Sequence, residues 1–262
     1  MAGFFKQLFF RLSGGIPSMA KYEARVASRK GQKEVAHWEL GFEEDFASLD
    51  KSRWATHPSV VHGAPTMLYS AIAENHVYTD GLNVAVHDGM LAISTKREAA
   101  QGLGFSPRVG FAPVERDYTS GTVNSAPSHV QRYGKVEVKF RFSQASKHLY
   151  HALWLGSGKQ QPHVNMLRVG HKLELSAFAN GRRQVDTWSR RLLAPNTDYV
   201  VSLEWSKRSM TWRINGAKLF SAANIVNEPM HIAFSSGVIG NPTIDEPATL
   251  EVAWVKAYKY RS

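Results

Sequence analysis

From position 37 onward, short runs of Val, Ile, Thr and aromatic residues alternate with polar ones, and turn residues punctuate the runs at regular intervals. Such alternation marks strands with one buried face. It predicts strands over residues 82–86, 90–95, 134–142, 151–155, 164–169, 172–178, 199–205, 210–214, 230–234 and 250–260. His87-Asp88-Gly89, Asn180-Gly181 and Asn215-Gly216 fall between runs as tight turns. No long helical period interrupts the series, so crossover helices are not expected and the sheets should be antiparallel, giving an all-β sandwich or jelly roll. Residues 98–119 hold Gly102-Leu103-Gly104-Phe105, Pro107 and Pro113 and read as a long loop of the kind that lines a site on a rigid sandwich.

The start of the chain has a different texture. Phe4, Phe5, Leu8, Phe9 and Leu12 fall at helical spacing, and Gly14-Gly15-Ile16-Pro17-Ser18 ends that helix. Residues 18–33 form a second, basic segment with helical character. Residues 1–37 therefore read as a short basic, helical extension, and residues 38–262 as one sandwich domain. Either the extension packs on its own domain, or its Phe stripe docks on a membrane surface or a protein partner.

Charge sharpens this division. The chain of 262 residues carries a net +10. Half of that lies in the extension, where seven cations, Lys6, Arg11, Lys21, Arg25, Arg29, Lys30 and Lys33, face only Glu23 and Glu34. A basic balance suits nucleic acid, anionic lipid, acidic polysaccharide or an acidic protein; without a nucleic-acid motif, nucleic acid is not the expected partner. Lys6 and Arg11 interrupt the first apolar run, which lacks the basic head and unbroken core of a cleavable signal peptide. No run reaches the ~18 apolar residues of a membrane span. The chain has no Cys, which excludes disulfides, thiolate metal sites, a cysteine nucleophile and a lipoprotein anchor but leaves the compartment open. No Walker, HExxH, EF-hand or GxSxG pattern is present, and no cofactor is implied.

The stretch richest in candidate chemistry is Tyr150-His151-Ala152-Leu153-Trp154-Leu155-Gly156 and then Pro162-His163-Val164-Asn165-Met166-Leu167-Arg168. Residues two apart on a strand share a face, and a bulge lets residues three apart do so. One short strand thus presents an imidazole, an amide and a guanidinium on one side.

The order of strands resembles a known family. Trp38-Glu39-Leu40-Gly41-Phe42-Glu43-Glu44-Asp45-Phe46 and Leu49-Asp50-Lys51-Ser52-Arg53-Trp54 are similar to the opening of family 16 glycoside hydrolases, laminarinase-like β-glucanases with a concanavalin A-like jelly roll. The resemblance continues through Asn83-Val84-Ala85-Val86-His87-Asp88-Gly89-Met90-Leu91-Ala92-Ile93, Tyr118-Thr119-Ser120-Gly121-Thr122-Val123 and Tyr133-Gly134-Lys135-Val136-Glu137. It runs on through His151-Ala152-Leu153-Trp154-Leu155, Glu204-Trp205 with Trp212-Arg213-Ile214-Asn215-Gly216, and Val252-Ala253-Trp254-Val255-Lys256-Ala257-Tyr258. It covers about residues 38–262.

The resemblance implies a catalytic E-x-D-x-(x)-E motif directly after the strand of Trp154. Here His163 stands in place of the nucleophile, Asn165 in place of the assisting Asp and Arg168 in place of the acid/base. Retaining hydrolysis needs two carboxyls about 5–5.5 Å apart. A guanidinium stays protonated and opposes a developing oxocarbenium charge. The expectation is therefore a catalytically inactive relative serving as a carbohydrate-binding or assembly subunit, with no catalytic residue. The alternatives are a structural scaffold subunit without glycan binding, and an active glycosidase or lyase on an acidic polysaccharide with relocated residues such as His163 and a tyrosine. The expected partner is a polysaccharide or oligosaccharide, and its candidate contacts are Trp188, Trp154, Tyr150, Tyr118, Phe105 and Glu174. Glu174 is also a cross-strand ion-pair partner for Arg168, and Asp186 a further carboxylate within reach of the cleft. The family's structural Ca²⁺ site often uses an Asp where this chain has Ala253, so no metal is expected.

Overall fold

The computed structural model describes residues 10, 14–29, 37–59, 69–71, 74–106, 110–159 and 161–261. In chain order these form α1 (Met19–Arg29), β1 (Trp38–Glu44), β2 (Tyr69–Ala71), β3 (His76–Tyr78), β4 (Val84–His87), β5 (Met90–Ser106), β6 (Gly110–Ser120), β7 (Thr122–Asn124), β8 (Gly134–Phe142) and β9 (Leu149–Gly156). They continue with β10 (His163–Val169), β11 (Lys172–Ala179), β12 (Arg182–Ser189), β13 (Tyr199–Trp205), β14 (Ser209–Ile214), β15 (Ala217–Ala223), β16 (His231–Val238) and β17 (Ala248–Tyr260).

The strands make two sheets. One has eleven strands in the order β15-β14-β13-β8-β17-β5-β2-β3-β6, with β1 paired to β17 and β4 to β5. The other has six, in the order β12-β11-β10-β9-β16-β7. Alternation drives the packing. In β8 the inward residues Val136, Val138, Phe140 and Phe142 are buried, and they join Leu153 and Leu155 of β9 and Leu173 and Leu175 of β11 in one core between the sheets. The three short turns place Asp88, Asn180 and Asn215 at positive φ, each followed by a glycine also at positive φ, as two-residue hairpin loops require.

Two expectations need correction. Residues 98–106 and 110–119 are strand rather than loop. β5 runs on to Ser106, and β6 returns along it, with Leu103 opposite Pro113 and Phe105 opposite Phe111. Its short companions β2 and β3 bridge the two strands from the other side. Glycines and prolines mask strand character in sequence, yet both are tolerated on a hairpin that is largely exposed on alternate positions. The second concerns strands outside the predicted ranges, namely β1, β2, β3, β7, β12 and β15; in β12 the charged face is exposed at the edge of the sheet.

Part of the extension is described, and it lies on the sandwich. Phe10 meets Trp188 edge-on at 5.2 Å. The Gly15 N–H reaches back to the Phe10 carbonyl (2.9 Å), with Gly14 and Gly15 at positive φ. Asn215 Nδ2 donates to the Pro17 carbonyl (2.8 Å). Ser18 then caps α1, whose Tyr22 is half-buried near Gly216. The Phe4, Phe5, Leu8, Phe9 and Leu12 stripe lies outside the described residues.

Candidate functional site

The outer face of the six-stranded sheet carries the residues singled out in β10. β10 pairs with β9 and β11 with a register shift between Asn165 and Arg168. Met166 and Leu167 are consecutive and both fully buried, so the bulge absorbs one extra inward residue. His163, Asn165 and Arg168 consequently emerge on one side. The bulge leaves the Asn165 carbonyl outside the ladder, and the indole of Trp212, from the opposite sheet, donates to it (3.0 Å).

Asn165, Ser176 and Glu174 form a continuous network. Asn165 Nδ2 donates to Glu174 Oε1 (3.2 Å) and to Ser176 Oγ (2.9 Å), and the Ser176 hydroxyl donates to the same Glu174 oxygen (2.8 Å). With its Nδ2 so committed, Asn165 accepts through Oδ1 from His163 Nε2 (2.9 Å). That places a proton on His163 Nε2. Burial lowers its pKa, only partly countered by the Asn165 hydrogen bond and the Glu174 charge. Its ring stacks on Trp154 (4.9 Å between centroids, 30° between planes). Trp154 donates its indole N–H to Ser235 (3.1 Å) and meets His231 edge-on at 5.9 Å. His231 in turn bonds Ser59 (3.0 Å), and burial brings its pKa down to about 4.

Arg168 points toward the other end of this face. Its guanidinium lies over the Tyr150 ring at 4.0 Å. Although Arg168 and Glu174 are register partners, the Glu174 carboxylate is directed to Asn165 and Ser176 and the Arg168 guanidinium to the Tyr150 ring. The Tyr150 hydroxyl donates to Glu74, and burial first, then the Glu74 charge, raises the Tyr150 pKa well above its ordinary value. Arg168, Tyr150 and Glu174 line a recess of about 270 Å³ together with Ser146, Lys147, Gly170, His171, Lys172, Thr187 and Ile239.

Other expected contacts lie elsewhere. Trp188 is opposite Leu173 in the ladder, faces the core and is 3% exposed; it is not at this face. Tyr118 is buried in a satellite cluster with Leu149 and Val238, its hydroxyl donating to the Pro242 carbonyl (2.7 Å). Asp186 is opposite Leu175 and so shares the inward side of β12 with Trp188. The Phe105 backbone is part of β5, but its side chain lies outside the described residues. The sequence reading missed Ser176, Ser235, Lys147, His231 and Ser59. Ser176 was within reach, two residues from Glu174 on the same strand. The Ser59–His231 pair joins residues 172 apart and has no local signal.

The catalytic domain of an endo-1,3-β-glucanase (laminarinase) from Thermotoga petrophila superposes with a TM-score of 0.66 at 18% identity, over 86% of this chain and 99% of that one. An endo-β-1,3-glucanase from Pyrococcus furiosus gives 0.67 at 18% identity, over 86% and 95%. The laminarinase fold is the fold of this chain. A κ-carrageenase from Pseudoalteromonas carrageenovora, in complex with an oligotetrasaccharide of κ-carrageenan, has the same sandwich (TM-score 0.62, 16% identity, 86% and 96% covered). No protein-family model and no curated protein matches the sequence. In this laminarinase-like sandwich the outer face offers a neutral imidazole, an amide, a guanidinium and the hydrogen-bonded carboxylate of Glu174. A retaining pair needs one carboxyl free to attack and a second free to exchange a proton. Glu174 is held on Oε1 by two donors, and Glu74 is taken by the Tyr150 hydroxyl.

Proposed function

We propose that the chain is a catalytically inactive relative of family 16 glycoside hydrolases that binds carbohydrate, alone or as a subunit of an assembly. The observation that carries this reading is Arg168. The family resemblance puts it where the acid/base would stand, and it stacks on Tyr150 and faces a recess; a guanidinium there supplies positive charge in place of a proton donor. The network through His163, Asn165, Ser176 and Glu174 supports it, because the imidazole, the amide, the hydroxyl and the Oε1 of the carboxylate are engaged in holding one another. Trp154, half-buried beside these groups, supplies the kind of aromatic surface on which a sugar ring packs. The fold is shared with a laminarinase and with a κ-carrageenase bound to its oligosaccharide, which makes a saccharide the natural ligand class.

The lyase alternative loses support because the Tyr150 hydroxyl is buried and committed to Glu74. The test pairs a glycan array with a reducing-end assay on β-1,3- and β-1,3-1,4-glucan. Selective binding without product is the expected outcome. Turnover that disappears in Glu174→Gln or His163→Ala would overturn inactivity. Silence on the array together with a stable co-purifying protein would replace the carbohydrate reading by the scaffold one.

A further inference from the structure

We propose that the recess beside Arg168 is an anion subsite that takes the sulfate or carboxylate group of an acidic sugar residue. The proposal rests on the carbohydrate reading and narrows it to a substrate class. Among the residues lining the recess, Lys147, Arg168 and Lys172 bring three cations against the single carboxylate of Glu174. Those cations come from three different segments: the turn before β9, the bulged strand β10 and the start of β11. The fold therefore gathers them; they are not one charged stretch of chain.

Arg168 is the group that makes this a site. It is half-buried, and the ring of Tyr150 holds its flat face at 4.0 Å. Stacking occupies the face of a guanidinium and leaves its N–H edge free for a planar or tetrahedral oxyanion. Among the described residues the ion pairs within 4.0 Å do not include Arg168, even though Glu174 is its register partner. Glu174 is turned away by Asn165 and Ser176, which both donate to its Oε1. Its Oε2 is left to accept from a sugar hydroxyl. Gly170 lets the wall close in, since a Cβ there would already stand 3.3 Å from the Tyr150 Cβ. Ile239 adds an apolar side for a pyranose face. At about 270 Å³ the recess suits one substituted sugar ring.

The experiment is titration calorimetry of the full chain with oligosaccharides of matched length: a neutral β-1,3-glucan fragment, a sulfated galactan fragment and a uronate fragment. At least one acidic fragment is expected to bind about tenfold more tightly than the neutral one, with an advantage that shrinks as salt is raised. Whichever acidic fragment binds more tightly identifies the substituent. Arg168→Gln, and independently the exposed Lys172→Ala, are expected to remove that advantage, so that acidic and neutral fragments bind alike, with the melting temperature nearly unchanged. Equal binding of neutral and acidic fragments overturns the subsite and leaves the carbohydrate reading standing. So does an acidic preference that survives both substitutions, which places the anion elsewhere. Failure of every fragment to bind removes the carbohydrate reading, and the subsite with it.

Discussion

A missing methyl group at Gly156 decides where Trp154 lies. A Cβ at that position would stand 2.5 Å from the Trp154 ring and 3.2 Å from the His231 ring. The glycine is needed for close approach, and its φ is not among the positive ones. Gly156→Ala should push the indole off His163, and near-ultraviolet circular dichroism should report the loss of the stacked geometry. Saccharide affinity should fall about fivefold or more if Trp154 contacts the ligand; an unchanged spectrum with unchanged affinity contradicts that placement. Asn165 is the other pivot. It is 5% exposed and joins His163 to Glu174 and Ser176. Asn165→Ala strands the His163 N–H and withdraws a donor from the carboxylate, at a cost of about 1–3 kcal/mol in urea unfolding. A loss no larger than that of an exposed Asn would show that water replaces the amide without penalty.

The element that makes the site is the bulge in β10, and its support comes from across the core. Trp212 is fully buried, stacks on Phe220 at 4.9 Å and donates to the Asn165 carbonyl freed by the bulge. Trp212→Phe keeps an aromatic ring but leaves that carbonyl unpaired. It is expected to cost about 1–3 kcal/mol beyond the volume change, and to alter the amide shifts of Asn165, Met166 and Leu167 more than those of β13. Equal shifts in both strands would mean that the bulge holds itself. The spacing His163-x-Asn165-x-x-Arg168 made this bulge legible in the sequence, because only an extra inward residue brings positions three apart to one face. Much of the sandwich was legible for related reasons. Asn83 in the first hairpin motif is a buried amide bonded to Thr79, Ser94 and Thr119, and Gly134 is a glycine because a Cβ there would run into the Tyr258 carbonyl. What stayed hidden depends on partners distant in sequence. Trp188 reads like any strand aromatic until the ladder with Leu173 turns it inward. Glu174 reads as an ion-pair partner for Arg168 until Ser176 and Asn165 claim it first.

At the scale of the whole molecule, two neutral histidines sit in adjacent strands of the six-stranded sheet and tie its stability to pH. His151 in β9 is fully buried, with Nε2 donating to the Gln144 carbonyl (2.7 Å) and Nδ1 accepting from the Ser236 hydroxyl (2.9 Å). His231 in β16 is 2% exposed and bonded to Ser59. Burial lowers both to about 4, with His163 adding repulsion at His231. A base with a depressed native pKa binds its proton first in the unfolded chain, whose histidines titrate near 6.5. The stabilisation is thus complete above about pH 6.5 and is lost as pH falls toward 4. A tenfold difference in proton affinity between the folded and unfolded chain is worth about 1.4 kcal/mol. The pair should therefore lower the unfolding free energy by an amount on the order of a few kcal/mol across that window. His76 and His163, whose pKa values burial also lowers, add to the loss in the same direction. Urea midpoints taken at about pH 7, 5.5 and 4.5 should fall steadily for the native chain. The fall should be shallower in His151→Gln and in His231→Gln, each of which removes one proton from the linkage. Parallel curves for all three proteins would assign the acid sensitivity to other groups.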